Sequence, residues 1–282
     1  MNFKYFDIHS HIAADYFNDN REDIILEMKE GQIGTITIGV DLESSGQAFD
    51  LASKHENIFC SVGQHPVDNQ TEVFEIDRYQ ELIDKDKDGE IKCIGECGLD
   101  YYWPRHDLNE GKITQEDFEK EKERQINLFE IQIDLAVKND LPLMLHVRSF
   151  ENADAHTEAF EILDKKQKEH DGKIRANFHF FTETPEIAKK VIEKGFHISF
   201  PGVVTFAGGG NGLDETVKTV PLEKMFSETD SPYATPKPFR GKQNNPNYVK
   251  HVVSKIAEVK NMDEDEITEK LTQNAINFFS LG

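Results

Sequence analysis

The sequence predicts an α/β fold, a TIM (β/α)8 barrel, and three observations predict it. Eight short runs rich in β-branched and aromatic residues alternate with helix-like stretches along the chain. Six residues with metal-binding side chains, His9, His11, Glu96, His146, His179 and Asp230, stand where such runs end, and in a barrel the loops after the strands share one mouth. The 282 residues match the length of one barrel and contain no repeat, low-complexity tract or Pro/Gly/Ser-rich linker, so a single domain over 1–282 is expected. An open doubly wound sheet would also alternate, but ligands spread over the first, fourth, fifth, sixth and last runs would not converge along a flat edge.

The first run, 3–8, closes on His9-Ser10-His11. Side chains in a strand repeat every two residues, so both imidazoles face the same way. A helix near 21–30 stops at Gly31 before the β-branched run 33–40, and helical spacing near 45–54 leads into the run 58–63. A helix over 76–86 precedes the run 91–95, which delivers Glu96. Residues 115–139 form a long amphipathic helix with Phe118, Ile126, Phe129, Ile133 and Val137 on its apolar face. The runs 141–145 and 174–178 deliver His146 and His179, with a helix over 152–168 between them. Helices over 185–194 and 214–220 flank the run 196–200. The run 224–229 then delivers Asp230, and helices over 247–260 and 271–281 close the chain.

Composition excludes several classes. With 37% apolar and 30% charged residues, no run of eighteen apolar residues and no charged-then-apolar leader pattern, the chain has no expected membrane role. Three cysteines, Cys60, Cys93 and Cys97, do not form a disulfide framework, so a reducing cytoplasm is the expected location. The net charge of −21 repels polyanions at long range and disfavours nonspecific nucleic-acid binding. Bound divalent cations with a few local arginines and lysines would still make one cleft attractive to phosphate. No obligate protein partner is evident.

A lone histidine at a strand end is more often a hydrogen-bonded core residue than a ligand, and an isolated Glu96 or Asp230 would serve equally as a helix cap or an ion pair. The paired His9 and His11, and five strand ends that all carry suitable groups, point instead to a binuclear metal site. Imidazole with carboxylate suits Zn, Mn or Ni, and Mg where a phosphate completes the shell. Two ions about 3.5–4 Å apart polarise a phosphoryl or carbonyl oxygen and supply hydroxide near neutral pH, so hydrolysis is the expected reaction class.

The segments Phe6-Asp7-Ile8-His9-Ser10-His11, Gly63-Gln64-His65-Pro66, Ile94-Gly95-Glu96-Cys97-Gly98-Leu99-Asp100-Tyr101-Tyr102, Leu143-Met144-Leu145-His146-Val147-Arg148 and Glu228-Thr229-Asp230-Ser231-Pro232-Tyr233 together resemble the TatD family of metal-dependent hydrolases and deoxyribonucleases. The resemblance spans nearly the whole chain, including Gly202-Val203-Val204-Thr205-Phe206 and Arg240-Gly241-Lys242 before Asn245-Pro246. It implies a TIM barrel of the amidohydrolase superfamily and phosphodiester hydrolysis at DNA ends, often 3′ to 5′. It also implies that His9, His11 and Asp230 hold one ion, that Glu96 bridges, and that His146 and His179 complete the second. Asp230 and Glu96 are then the catalytic pair, with Asp230 orienting or deprotonating the attacking water.

Two departures bear on substrate choice. Where the family carries His-Cys-Phe-Ser-Gly, this chain reads His179-Phe180-Phe181-Thr182-Glu183, putting an acid where it would narrow the cleft or repel phosphate. The acid that commonly follows the first motif is replaced by Ala13-Ala14, with Asp15 only later. His65, Asp100, Tyr101, Arg148 and Arg240 are the expected substrate-gripping residues, against a supporting or surface role. Asp84-Lys85-Asp86-Lys87-Asp88-Gly89 reads as a solvated turn because position twelve of a calcium loop would be Gly95. Gly208-Gly209-Gly210-Asn211-Gly212 lacks the Lys-Ser/Thr of a P-loop and reads as a lid or plain connection, and Cys93 reads as a small buried hydrophobe. The alternatives are an amidohydrolase or esterase acting on a small molecule, and a metal-retaining protein whose activity has decayed.

Overall fold

A computed structural model describes residues 3–70, 73–206 and 209–281. Residues 1–2, 71–72, 207–208 and 282, which the expected domain includes, and with them Gly208 of the glycine segment, lie outside the described residues. The chain alternates as β1 Tyr5–Ser10, α1 Arg21–Glu30, β2 Ile33–Thr37, α2 Leu42–Ala52, β3 Ile58–Val62, α3 Ile76–Lys85 and β4 Ile91–Asp100. It continues through α4 Tyr102–Asn109, α5 Gln115–Lys138, β5 Leu143–Arg148, α6 Ala155–Glu169, β6 Ala176–Phe178, α7 Pro185–Glu193 and β7 His197–Phe200. The last units are α8 Gly209–Thr219, β8 Met225–Ser227, α9 Val249–Lys260 and α10 Glu264–Phe279. The eight strands form one sheet in sequence order, each parallel to the next, which is the predicted (β/α)8 barrel.

Closure between the last and first strands is made just beyond β8. Asp230 N donates to His9 O at 2.9 Å and His11 N donates to Ser231 O at 2.8 Å, with a parallel bridge between Ser10 and Ser231. The buried Asp7 carboxylate accepts from Thr229 N and from Thr229 Oγ1. One seam therefore both closes the barrel and places His9, His11 and Asp230 side by side.

The strands separate two apolar clusters as a period of two demands. Cys60, Ile94 and Leu145 belong to the larger cluster with Leu51, Ala136 and Leu163 of the surrounding helices. Their chain neighbours Phe59, Cys93 and Met144 belong to the smaller one with Phe6, Phe226 and Phe279. Helix starts follow their caps: Thr114 and Asp117 form a reciprocal capping box on α5, and Asp41 and Ser44 form another on α2.

Some expectations are corrected. β4 does not stop before Glu96; it runs on to Asp100, because Cys97, Gly98, Leu99 and Asp100 pair with Leu145 to Arg148 after an irregularity at Ile94–Cys97. A short helix, α4, follows in a stretch where the sequence pattern marks no element. The glycine segment is no lid from Gly209 onward, since Gly209 opens α8. The final helix starts earlier than 271, at Glu264, capped by Asp263. The 84–89 segment is a turn, in which Asp86 accepts from the backbone of Gly89, Glu90 and Ile91. No helix among the described residues is long and apolar enough to cross a membrane.

Candidate metal centre

Glu96 is the hub. Its strand reaches it through Gly95 (φ +149°) and leaves through Gly98 (φ +138°), backbone conformations that L side chains rarely adopt. A Cβ at Gly98 would run into the carbonyl oxygen of His146, so only glycine lets β4 and β5 approach closely enough to present Glu96 beside His146. The Glu96 carboxylate lies 2.9 Å from His146 Nδ1, 2.8 Å from His179 Nε2, 3.3 Å from His9 Nε2 and 3.5 Å from His65 Nε2. Asp230 Oδ1 lies 3.5 Å from His9 Nε2 and 3.4 Å from His11 Nε2. Asp230 has a left-handed backbone (φ +51°), and its carbonyl accepts from Tyr233 N, so the turn aims its carboxylate back at the first strand.

The barrel thus brings together all six sequence-predicted ligands. Their donor atoms fall into three overlapping groups: His9, His11 and Asp230; His9, Glu96 and His179; and His65, Glu96 and His146. This grouping differs from the expected one in two ways: His179 falls with His9 rather than with His146, and His65 stands within the cluster rather than on a phosphate-gripping rim. The His65 ring packs edge-on against His146 at 4.4 Å, and its Nδ1 lies 3.3 Å from Asp68.

The donor set fits divalent ions. Fully buried His9 makes no hydrogen bond through either ring nitrogen, and neither does Nδ1 of His179. Buried polar atoms are almost always satisfied, and the Nε2 of a neutral His9, set against the Glu96 and Asp230 carboxylates, is what a metal ligand looks like. Burial and the neighbouring His179 ring, stacked at 3.9 Å, lower the His9 pKa to about 4. Burial would raise Glu96, but His179, His65 and His9 around it hold its carboxyl well below the usual range. Burial opposes charge on His146 as well, yet Asp100 and Glu96 raise it to about 9.

The remaining predicted residues divide. Asp100 supports a ligand: its Oδ2 lies 2.9 Å from His146 Nε2, fixing the ring while Nδ1 faces Glu96. Tyr101 does not reach the mouth. Its ring is fully buried and its hydroxyl donates to Glu158 of α6, because α4 begins immediately after it and turns it into the core. Arg148 and Arg240 are exposed, their guanidinium groups stacked on Tyr102 at 3.8 Å and on Phe206 at 3.9 Å. Glu183 is half-buried; its carbonyl accepts from Thr216 of α8, and burial with the nearby Asp154 raises its carboxyl. Two further buried acids escaped the sequence reading. Glu228 accepts from Phe180 N and Ser199 Oγ and lies 3.6 Å from His179 Nδ1, and Asp7 anchors Thr229. Their only signal was an acid two residues before a candidate ligand.

Comparisons with known proteins agree with this geometry. A family model described as TatD related DNase matches residues 6–280. The chain is 34% identical to the uncharacterized metal-dependent hydrolase YabD of Bacillus subtilis over 280 residues, covering 98% of this chain and 99% of that protein. It is 30% identical to an uncharacterized metal-dependent hydrolase of Methanocaldococcus jannaschii, covering 98% and 97%. The crystal structure of the TatD homolog YjjV from Escherichia coli superposes with a TM-score of 0.81 at 22% identity, over 99% of each chain, and shares the fold. The same barrel recurs more distantly in a dihydroorotase from Campylobacter jejuni, with a TM-score of 0.56 at 13% identity over 100% of this chain and 87% of that one. Strand order, ligand cluster and near full-length similarity lead to one conclusion: this chain belongs to the TatD family of metal-dependent hydrolases.

Proposed function

We propose that this protein is a divalent-metal-dependent phosphodiesterase acting on DNA ends, a deoxyribonuclease of the 3′ to 5′ exonuclease kind, working in the cytoplasm without an obligate protein partner. The observation that carries the reading is the buried Glu96 carboxylate within reach of four imidazoles, with Asp230 shared by His9 and His11. The family description and the exposed Arg148 beside the cluster favour a phosphodiester over other substrates. Three buried free cysteines suit a reducing compartment.

His9, His11 and Asp230 would hold one ion, and His146 and His179 a second, with Glu96 between and His65 beside them. Divalent ions bound there supply Lewis acidity toward a phosphoryl oxygen and make water a nucleophile near neutral pH. The chain's own groups do the rest. The Asp230 carboxylate orients the attacking water and takes its proton at Oδ2, the oxygen not set against His9 and His11. Asp100 keeps His146 in one orientation through its hydrogen bond, and the Glu228 carboxylate lies against the Nδ1 side of His179. Arg148, two residues past His146, is placed to meet a phosphate of the bound strand.

A second reading has one observation in its favour. A cleft of about 560 Å³ beside His11, lined by Ile38, Val40, Tyr16 and the acids Asp15, Asp41 and Glu43, is large enough for a small amide or ester. The two are separated by nucleotide release from 3′-labelled and 5′-labelled single-stranded DNA with metal-reconstituted protein, EDTA-treated protein and Asp230→Ala. Release that needs both metal and Asp230, with Asp230→Ala at least a hundredfold slower, supports the nuclease. Metal binding with untouched DNA sends the search to small phosphoesters and amides.

A further inference from the structure

Beyond the cluster, the loops after β4 and β5 are knitted into one aromatic surface. Tyr102 N donates to Asp100 Oδ1 at 2.8 Å, and the other oxygen of that carboxylate holds His146. The Tyr102 backbone is therefore linked to His146 through a single carboxylate. Phe150 meets the Tyr102 ring edge-on at 4.6 Å and Trp103 at 5.0 Å, while the Arg148 guanidinium covers its face at 3.8 Å. Tyr101 N donates to Arg148 O, and Glu151 takes Asn109 Nδ2 at 3.1 Å and lies 3.6 Å from Arg105, so the two loops are cross-braced.

Two features of this surface have no structural explanation. Trp103, the only tryptophan in the chain, is 50% exposed although it sits among aromatic neighbours that would bury it. Among the described residues no carboxylate lies within ion-pair distance of Arg148, in a chain with 53 acidic residues against 32 basic ones. Stacking on Tyr102 fixes the guanidinium plane and leaves its edge N–H groups free for an oxyanion. The β1–β2 side of the mouth is the reverse, with Asp15, Asp41 and Glu43 lining the cleft beside His11. A polyanion leaving the metal centre is repelled on that side and met by Arg148 on the other.

Resting on the nuclease reading above, we propose that Trp103, Tyr102 and Arg148 form the subsite for the single-stranded tail of a DNA substrate, a base stacking on the Trp103 indole and a backbone phosphate bonding to Arg148. Aromatic faces bind any base, and a fixed cation tracks the backbone, which together bind single strands without sequence choice. The strand runs from the cluster over β4 and β5, and its terminal nucleoside, carrying no further phosphate, occupies the acidic side.

The single tryptophan makes the subsite directly observable. A phosphorothioate-linked ten-residue oligothymidylate, which resists hydrolysis, should quench the indole of the metal-loaded protein in a saturable titration. Arg148→Ala should weaken that binding about tenfold and flatten its salt dependence. In kinetics, Trp103→Ala should lower the ratio of kcat/KM on the unmodified oligonucleotide to that on bis(p-nitrophenyl) phosphate about tenfold, and Trp103→Phe should restore most of it. An unchanged ratio, or no quenching at saturation, overturns the subsite. Quenching without cleavage of any oligonucleotide leaves the subsite standing and removes the nuclease assignment. Cleavage with an unchanged ratio does the opposite.

Discussion

Asp100 shows what a single residue contributes when it touches a candidate ligand rather than an ion. Its carboxylate holds His146 by one oxygen and the Tyr102 amide by the other, so ring orientation and the following turn are set together. Replacing it by asparagine keeps the shape and removes the charge. Asp100→Asn is expected to weaken metal affinity by about 10–100-fold, read by calorimetric titration of the metal-free protein. A melting temperature within a few degrees of the parent would show that the loss lies at the site; unchanged affinity would assign Asp100 to the fold alone. The motif containing Asp100 was legible in the sequence, but its role was not, because partner choice depends on which strand lies alongside. Tyr101 shows the same limit. It is adjacent to Asp100 in sequence, yet buried against Glu158 because α4 starts one residue later.

Among the elements, β4 is the most informative. The sequence places the end of the run at Gly95, before Glu96, whereas the structure carries the strand through Gly95 and Gly98 alongside β5 and on to Asp100. Gly98→Ala meets both a positive φ and the His146 carbonyl, and is expected to cost roughly 2–4 kcal/mol in denaturant unfolding and to lower metal affinity with it. Gly46→Ala supplies the contrast. Gly46 lies in α2 with open space around its Cα and no unusual φ, so alanine there should stabilise by roughly 0.5–1 kcal/mol. If both substitutions cost the same, the close approach of β4 to β5 is not what requires glycine. Helices with clear caps, such as α5 behind Thr114, were read to within a residue, since capping and apolar periodicity are local signals. The extension of α8 back to Gly209 and the presence of α4 were not, because tertiary packing, rather than propensity, stabilises both.

For the molecule as a whole, stability has an acid limb that can be assigned to a group remote from the metal centre. His197 opens β7 against Phe226, stacked at 5.2 Å, and Phe278 at 4.5 Å; burial, with Lys224 nearby, lowers its pKa from 6.5 to about 4. A base with a depressed folded-state pKa is protonated first in the unfolded chain. Its contribution is therefore fully present above about pH 6.5 and is lost as pH falls toward 4, by roughly 1–2 kcal/mol after discounting partial exposure. His197→Phe, measured beside the parent in metal-free urea unfolding, should flatten the curve between pH 4 and 6.5; parallel curves would show that His197 is not the titrating group. By itself the sequence determined the barrel, its strand order and the six residues to be brought together, because strand runs, caps and ligand chemistry are written locally and the barrel rule sends strand ends to one mouth. Only the tertiary structure decided that Glu96 is the hub, that His65 joins the cluster, that Glu228 lies against His179 while Asp7 anchors Thr229, and that Trp103 and Arg148 meet on the ring of Tyr102. Each of these depends on distances across strands that pair through space, and backbone approach at Gly95 and Gly98 sets those distances, which no local pattern records.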